Sequence, residues 1–390
     1  MKAFSACLIC AVLLFTALVP AAAASVQTAG TPAEKVQQVK SAIVIEEETG
    51  KVLYQMNADK ELPPASMTKI MTLLLIFKAL SRHQISLNEK VTVSEHAASM
   101  GGSQVFLEPG ETMTVDEMLK AIAIASGNDA SVAMAEYISG SEKAFVQKMN
   151  QEAKSLGLTH TTFQNPTGLP VRDHYTSAHD MAIMARELAR YDQVFHYTSK
   201  YEDYLRQNTD KKFWLVNTNK LIKTYPGADG LKTGFTNEAQ YCLTATAKRN
   251  GMRVIAVIMG APSPKERNKE IAGLMDEAFA NYTTKQILGK NIAVASAKVN
   301  KGDHGQVPIV TGNSAVLLLK KGESANGLQK KVDISRPLQA PIKAGTVVGY
   351  YTISKHNQVI SKTPLIVKEN IKRASWWQLF KRSAGSILVH

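Results

Sequence analysis

A helix that is apolar on every side is the strongest constraint in this chain. Residues 66–80, SMTKIMTLLLIFKAL, distribute Met67, Ile70, Met71, Leu73, Leu74, Ile76 and Phe77 around the whole circumference. Such a helix has no polar stripe to turn toward water, so other elements must cover it. Yet its head carries a hydroxyl and an amine. Ser66 and Lys69 stand three apart and share a face. Two prolines, Pro63 and Pro64, fix the approach. The hydroxyl lies near the helix N-terminus, where free N–H groups and the dipole favour developing negative charge.

The covering elements are legible on both sides of this helix. SAIVIEEETGKVLYQMN reads as two strands about a Glu48-Thr49-Gly50-Lys51 turn. VDEMLKAIAIASGNDASVAMAEYIS reads as two helices meeting at Ser126-Gly127-Asn128, and TSAHDMAIMARELARY as a helix capped by Thr176 or Ser177. GLKTGFT, YCLTATAKR and MRVIAVIMGA are strand candidates, the last two joined at Asn250-Gly251. PKERNKEIAGLMDEAFANY closes as a helix. Strands at both ends with helices between predict a mixed α/β (α+β) domain with a central antiparallel sheet. After about residue 288 the pattern changes to short β-rich runs punctuated by Gly and Pro, which predicts a small all-β sandwich.

The two ends read differently from the body. Lys2, an apolar stretch and the small residues Ala22-Ala23-Ala24 before Ser25 form a secretory signal peptide over residues 1–24, with a retained membrane anchor as the alternative. Ile9 before Cys10 does not fit a lipidation signal. Cys242 is then the single cysteine of the exported chain, in an apolar run, which excludes an internal disulfide and a cysteine metal site. No His, Asp or Glu cluster has metal-ligand spacing, and no cofactor is implied. From residue 285 onward 17 Lys and Arg face 4 Asp and Glu, which accounts for the whole net charge of +13. An exported chain without nucleic-acid motifs directs that charge toward an anionic membrane or wall surface. The last segment, 371–390, gathers Trp376, Trp377, Leu379, Phe380, Ala384, Ile387 and Leu388 on one side of a helix, with Gln378, Lys381 and Arg382 opposite. It predicts an amphipathic helix lying in a membrane interface, with a helix packed on the chain's own β domain as the alternative. The expected domains are a catalytic part over 25–287, the β-sandwich over 288–369 and the tail over 370–390.

The chemistry lies in three short motifs taken together. Ser126-Gly127-Asn128 falls 60 positions after Ser66, and Lys232-Thr233-Gly234 another 106 on. Each alone is bland. In this order, behind a serine–lysine pair at the head of a buried helix, they describe acyl transfer. A partly buried Lys69 can lose its charge and take the Ser66 proton. Ser126 can relay a proton to a leaving amine, and Asn128 can hold Lys69 and a substrate amide. Lys232 offers positive charge, and Thr233 a hydroxyl, to a terminal carboxylate. Gly234 lets a backbone lie close. The N–H groups of Ser66 and Phe235 would form an oxyanion hole.

ASMTKIMT, IASGNDAS, NPTGL and DGLKTGFT resemble the low-molecular-mass penicillin-binding proteins that are D-alanyl-D-alanine carboxypeptidases. The resemblance covers the mature chain. Within the family, the text around residues 94–111 and 200–219 is similar to a sporulation-associated branch of spore-forming bacilli. It implies a β-lactamase/DD-peptidase-like domain, an acyl-enzyme on Ser66, peptidoglycan pentapeptide stems ending in D-Ala-D-Ala as substrate, and β-lactams as acylating inhibitors. It places the protein on the outer face of the cytoplasmic membrane. Two rivals share the motifs: a class A-like β-lactamase and a non-enzymatic peptidoglycan-binding scaffold. The first needs a Glu and an Asn in an E-x-x-L-N stretch to hold a deacylating water, and none lies between Asn128 and Lys232. The second fits poorly with three intact motifs. Phe235 stands where several relatives have histidine, which leaves its backbone N–H but no polar side chain.

Overall fold

The computed structural model describes residues 38–335 and 337–379. The segment read as a signal peptide and the tail beyond Leu379 lie outside the described residues. The central sheet is antiparallel and five-stranded. Its strands are β1 (Ser41–Glu46), β2 (Val52–Met56), β3 (Ala228–Thr236), β4 (Gln240–Arg249) and β5 (Met252–Ala261), in the order β2-β1-β5-β4-β3. The chain ends of this domain thus meet in mid-sheet, where β1 pairs with β5 over its full length. The β4–β5 connection is the tight turn expected, with Asn250 at φ 49° and Gly251 at φ 82°.

Both faces of the sheet are buried. Along β5, Val254, Ala256 and Ile258 point to one side, against Ile271, Leu274 and Met275 of helix Pro264–Asn281. Ile255, Val257 and Met259 point to the other side, into a larger core. The period of two and burial on both faces together explain why these strands read as near-continuous apolar runs.

At the centre of the larger core lies α1 (Lys69–Ser81). Ile70, Met71, Leu73, Leu74, Ile76 and Phe77 are each at most 2% exposed. It is packed by α2 (Val115–Ala123), α3 (Asn128–Ser139) and α4 (Ala178–Ala189), so the all-apolar helix is enclosed as its sequence requires. Thr114 opens α2 with a reciprocal capping box to Glu117. Ser177, not Thr176, caps α4 by accepting from the Asp180 N–H.

One expectation is corrected at the head of α1. Ser66 is not on the α-helix but in a 3₁₀ turn, Ala65–Thr68, that runs into it. Ala65 sits at φ 48°, a left-handed conformation that swings the chain out of the preceding prolines. Side chains three apart eclipse in a 3₁₀ turn, so Ser66 and Lys69 still face the same way.

Between the helix ending at Asn281 and residue 374 the regular elements of the described chain are β-strands. A six-stranded sheet spans strands between Ala293 and Val367, and Tyr282–Leu288 pairs antiparallel with Ala315–Lys320. The expected boundary at 287/288 falls inside this strand, whose pairing joins all of Tyr282–Leu288 to the β-rich part. A separate core of Val299, Ile309, Ile353, Leu365 and Val367 fills this region. Ser375 then caps a new helical turn at Trp376, accepting from the Gln378 N–H.

Candidate active site

Four segments meet at the head of α1. The 3₁₀ turn supplies Ser66, and the first residue of α1 is Lys69. The break between α2 and α3 supplies Ser126 and Asn128, and the edge strand β3 supplies Lys232, Thr233, Gly234 and Phe235. The fourth segment, the loop Asn165–Leu169, was quoted in the sequence but given no role.

Lys69 is the hub. It is fully buried, and its Nζ lies 3.1 Å from Ser66 Oγ, 2.6 Å from Asn128 Oδ1 and 2.8 Å from the Thr167 carbonyl. Three acceptors match the three N–H bonds of an ammonium. A neutral amine has two N–H bonds and a lone pair. With Asn128 and Thr167 still accepting, that lone pair points at the Ser66 hydroxyl. Burial, and next the charge of Lys232, hold Lys69 well below the ordinary 10.5, against a smaller opposing pull from Asp129. The arrangement therefore favours the neutral, proton-accepting form.

Asp129 is engaged by backbone. Its oxygens accept from the Val105, Leu107 and Ala130 N–H groups, so its work is to pin the 103–107 loop to the start of α3. The same loop meets Asn128, whose N–H donates to the Ser103 carbonyl and whose Nδ2 donates to the Gly101 carbonyl. With its amide thus oriented, Asn128 presents Oδ1 to Lys69.

Ser126 is strained and unpartnered. Its φ is 67°, and its hydroxyl is buried without a hydrogen-bond partner among the described residues. A buried polar atom left unsatisfied costs about 1–3 kcal/mol, and such groups concentrate where chemistry uses them.

The loop Asn165–Leu169 is shaped by its own side chain. Asn165 Oδ1 accepts from the N–H groups of Thr167 and Gly168 and from the Thr167 hydroxyl. That turn aims the Thr167 carbonyl at Lys69. Gly168, at φ 85°, lies so close to the turn before Ser66 that a Cβ would stand 1.8 Å from the Ala65 carbonyl oxygen. Behind the loop, His174 contacts Thr68 Oγ1 at 2.9 Å through Nε2, and its Nδ1 accepts from the Gln164 N–H. Burial lowers His174 to about 4, so it is neutral at physiological pH and Nε2 is the donor.

Strand β3 lies at the sheet edge, with one side open to an added chain. Lys232 is 1% exposed, and burial followed by the Arg267 charge pushes it down to about 7. The Thr233 hydroxyl donates to Thr218 Oγ1 at 2.7 Å. Gly234 has a second reason besides the expected one: a Cβ there would meet the Pro64 carbonyl at 2.7 Å and the Ala65 Cβ at 3.2 Å, so the glycine also admits the serine's own turn. Phe235 turns outward, half exposed, and stacks on Tyr241 at 4.4 Å. Cys242 is buried, and burial raises its thiol to about 11, so it is inert.

Lys232 and Arg267 bring positive charge to the pocket floor, with Asp129 engaged elsewhere. Such a site attracts a carboxylate and stabilises an oxyanion.

An antiparallel sheet cradling a buried serine–lysine helix, with an all-β domain behind it, defines the penicillin-binding, DD-peptidase class. The chain belongs to the D-alanyl-D-alanine carboxypeptidase family, whose model matches residues 26–263; a second model, penicillin-binding protein 5, C-terminal domain, matches 282–373. The D-alanyl-D-alanine carboxypeptidase DacF of Bacillus subtilis (strain 168) is 52% identical over 385 residues, 99% of this chain and 98% of the relative. Among solved structures, penicillin binding protein 5 from Haemophilus influenzae superposes with TM-score 0.68 at 29% identity, covering 88% of this chain and all of that one. Penicillin-binding protein D2 from Listeria monocytogenes, in an ampicillin-bound form, covers 62% of this chain and 97% of its own, with TM-score 0.56 and 33% identity.

Proposed function

We propose that this protein is a serine-type D-alanyl-D-alanine carboxypeptidase of peptidoglycan stem peptides, with Ser66 as its nucleophile. The observation that carries the reading is the three-acceptor seat of Lys69, which turns a buried amine toward Ser66 Oγ. Lys69 takes the hydroxyl proton as Ser66 attacks the carbonyl between the two D-alanines. The oxyanion sits between the N–H groups of Ser66 and Phe235. Lys232 and Thr233 hold the terminal carboxylate. The proton passes through Ser126, whose free hydroxyl stands ready, to the departing D-alanine amine. The C–N bond breaks, and water then hydrolyses the ester on Ser66. The strand that admits the substrate is β3, at the sheet edge.

The same serine explains penicillin binding. A β-lactam acylates Ser66 but its ring remains attached, so no leaving group departs. The loop beside Lys69 offers the Thr167 carbonyl where a β-lactamase needs a carboxylate to activate water, and Asp129 is occupied. The penicilloyl ester therefore persists. This favours the carboxypeptidase over the β-lactamase reading.

The reading extends to location. Family membership supports an enzyme that works outside the cytoplasmic membrane, and among the described residues no helix is long and apolar enough to span it. We place the anchor in residues 371–390. Its support is the capped helical start at Trp376, the exposure of Trp376 and Trp377 at 72% and 57%, and the basic region after residue 284.

Release of free D-alanine from a peptide ending in D-Ala-D-Ala tests the function. The wild-type protein should release it, and Ser66→Ala should lose at least about 10³-fold in kcat/KM. Undiminished release by Ser66→Ala would overturn the assignment.

A further inference from the structure

The β1–β2 turn, the end of α4 and the β-rich part enclose a groove that the acyl-transfer chemistry does not use. Two cavities, of about 260 Å³ and about 250 Å³, share a wall of Glu48, Arg186, Arg190, Asn313 and Ser314. The first runs on to Lys248 at the end of β4 and to Lys290. The second runs on to Val359, Ile360 and Lys362 of the strand Gln358–Val367.

The central cations are held in place. Gly50 lacks a Cβ that would stand 2.8 Å from Arg186 Nη1, so the guanidinium lies against the turn. There its Nε and Nη2 donate to the Glu47 and Glu48 carbonyls. Both acceptors are neutral, so no hydrogen-bonded carboxylate cancels the charge. Arg190 pairs with Glu187 at 2.7 Å and reaches across to the β-rich part, where Asn313 Oδ1 accepts from its Nη2 at 2.8 Å. Lys248 and Lys290 are exposed, and neither lies within 4 Å of a carboxylate oxygen among the described residues.

The acids beside these cations are muted. Glu46 closes the turn by accepting from the Glu48 and Thr49 N–H groups and from the Thr49 hydroxyl. Burial, and next the Glu48 charge, raise Glu47 to about 7, so at neutral pH it is half protonated. Burial raises Glu48 as well. Cations therefore follow one another through the groove: Lys290 and Lys248 in the first cavity, the two arginines in the shared wall, Lys362 in the second.

We propose that this groove binds a chain of phosphodiesters, and that the bound chain bridges α4 and the β-rich part. Two joined cavities with cations along both suit a repeating anion better than a single one. Guanidinium groups match the geometry of phosphate oxygens. The apolar side chains of Val359 and Ile360 suit the short carbon linkers between charges. The inference is independent of the carboxypeptidase reading, because it uses none of the residues around Ser66.

The test measures binding of three probes to the full-length protein at low salt: a short glycerol-phosphate oligomer, a glutamate oligomer of equal charge, and inorganic phosphate. The glycerol-phosphate oligomer should bind tightest and raise the thermal midpoint. The Lys248→Gln, Lys290→Gln double variant should bind it about 2- to 25-fold more weakly, the value of two solvent-exposed charge contacts. Its binding should also depend less steeply on salt. The Lys343→Gln, Lys368→Gln double variant removes the same charge from exposed positions of the β-rich part outside the groove, and should bind as the wild type does. Labelling by penicillin should be complete in both variants, which reports that they are folded. Equal losses in the two double variants would trace the attraction to overall charge and overturn the proposal. So would a glutamate oligomer or free phosphate that binds as tightly as the phosphodiester chain. A protein that ignores the oligomer but loses binding to anionic vesicles in the Lys248→Gln, Lys290→Gln variant would place the phosphodiester in lipid headgroups, and would overturn the chain as the ligand.

Discussion

At the scale of single residues, the proposed mechanism sets two buried lysines to opposite tasks. In it Lys69 must be neutral to accept a proton, and Lys232 must be charged to hold a carboxylate. Burial lowers both, and each task depends on what opposes it. Lys69 gains a like charge from Lys232 and keeps two fixed acceptors, so it stays low. Lys232, at about 7 in the free enzyme, gains an anion when substrate arrives, which raises it. Binding is therefore coupled to proton uptake. For kcat/KM the sign follows: activity climbs as Lys69 deprotonates and declines as pH rises through the Lys232 value. The declining limb should disappear for a substrate whose terminal carboxylate is an amide, and should move to higher pH in Lys232→Arg, whose guanidinium keeps its proton. Lys232→Ala should cost acid substrates about 10- to 150-fold, the value of a charge-assisted hydrogen bond, and amide substrates far less. pH profiles on matched acid and amide peptides read both effects. An identical loss on the two would remove Lys232 from the carboxylate site.

At the scale of elements, strong local patterns were legible and approach distances were not. The apolar helix, the sheet strands and a cap at Thr176 or Ser177 follow from periodicity and end chemistry, which are properties of neighbours in sequence; the fold selects Ser177. The 3₁₀ turn at Ser66 was missed because the left-handed Ala65 is imposed from outside, by Gly168 and Gly234 pressing on the same turn. Thr167 and Thr218 were missed because one acts through its carbonyl and the other through a contact that only the fold creates. The one available signal was NPTGL itself, with a turn-forming Asn and a glycine. Gly168→Ala tests this coupling. The left-handed backbone alone costs about 1–2 kcal/mol for a non-glycine residue, and the clash with the Ala65 carbonyl adds to it. Gly140→Ala is the control: φ is 77° there, but a Cβ meets nothing within 4 Å. Both variants should lower the thermal midpoint, Gly168→Ala by more, and only Gly168→Ala should slow acylation by penicillin. Unchanged acylation would show that the loop does not position Ser66.

At the scale of the whole molecule, charge and chemistry are segregated. Residues 25–284 are close to neutral, and the excess positive charge lies beyond them. This division was plain from composition; the pairing that draws Tyr282–Leu288 into the β-rich part was not, since the partner strand Ala315–Lys320 is far along the chain and leaves no local mark. The segregation supports the proposal that a near-neutral enzyme is held at a membrane surface by its basic C-terminal part. Deleting residues 371–390 should leave penicillin acylation intact and abolish co-sedimentation with vesicles containing anionic lipid. Vesicle binding retained by the truncated protein would place the anchor elsewhere. The central claim, an acyl-enzyme on Ser66 formed by Lys69 and not rapidly hydrolysed, is tested most directly by the mass of the intact protein after brief exposure to penicillin. The account predicts one added penicilloyl group per chain, lasting many minutes, mapped to the peptide that contains Ser66, and absent in Lys69→Ala. Rapid penicillin turnover without a trapped adduct, or an adduct on any other residue, would contradict it.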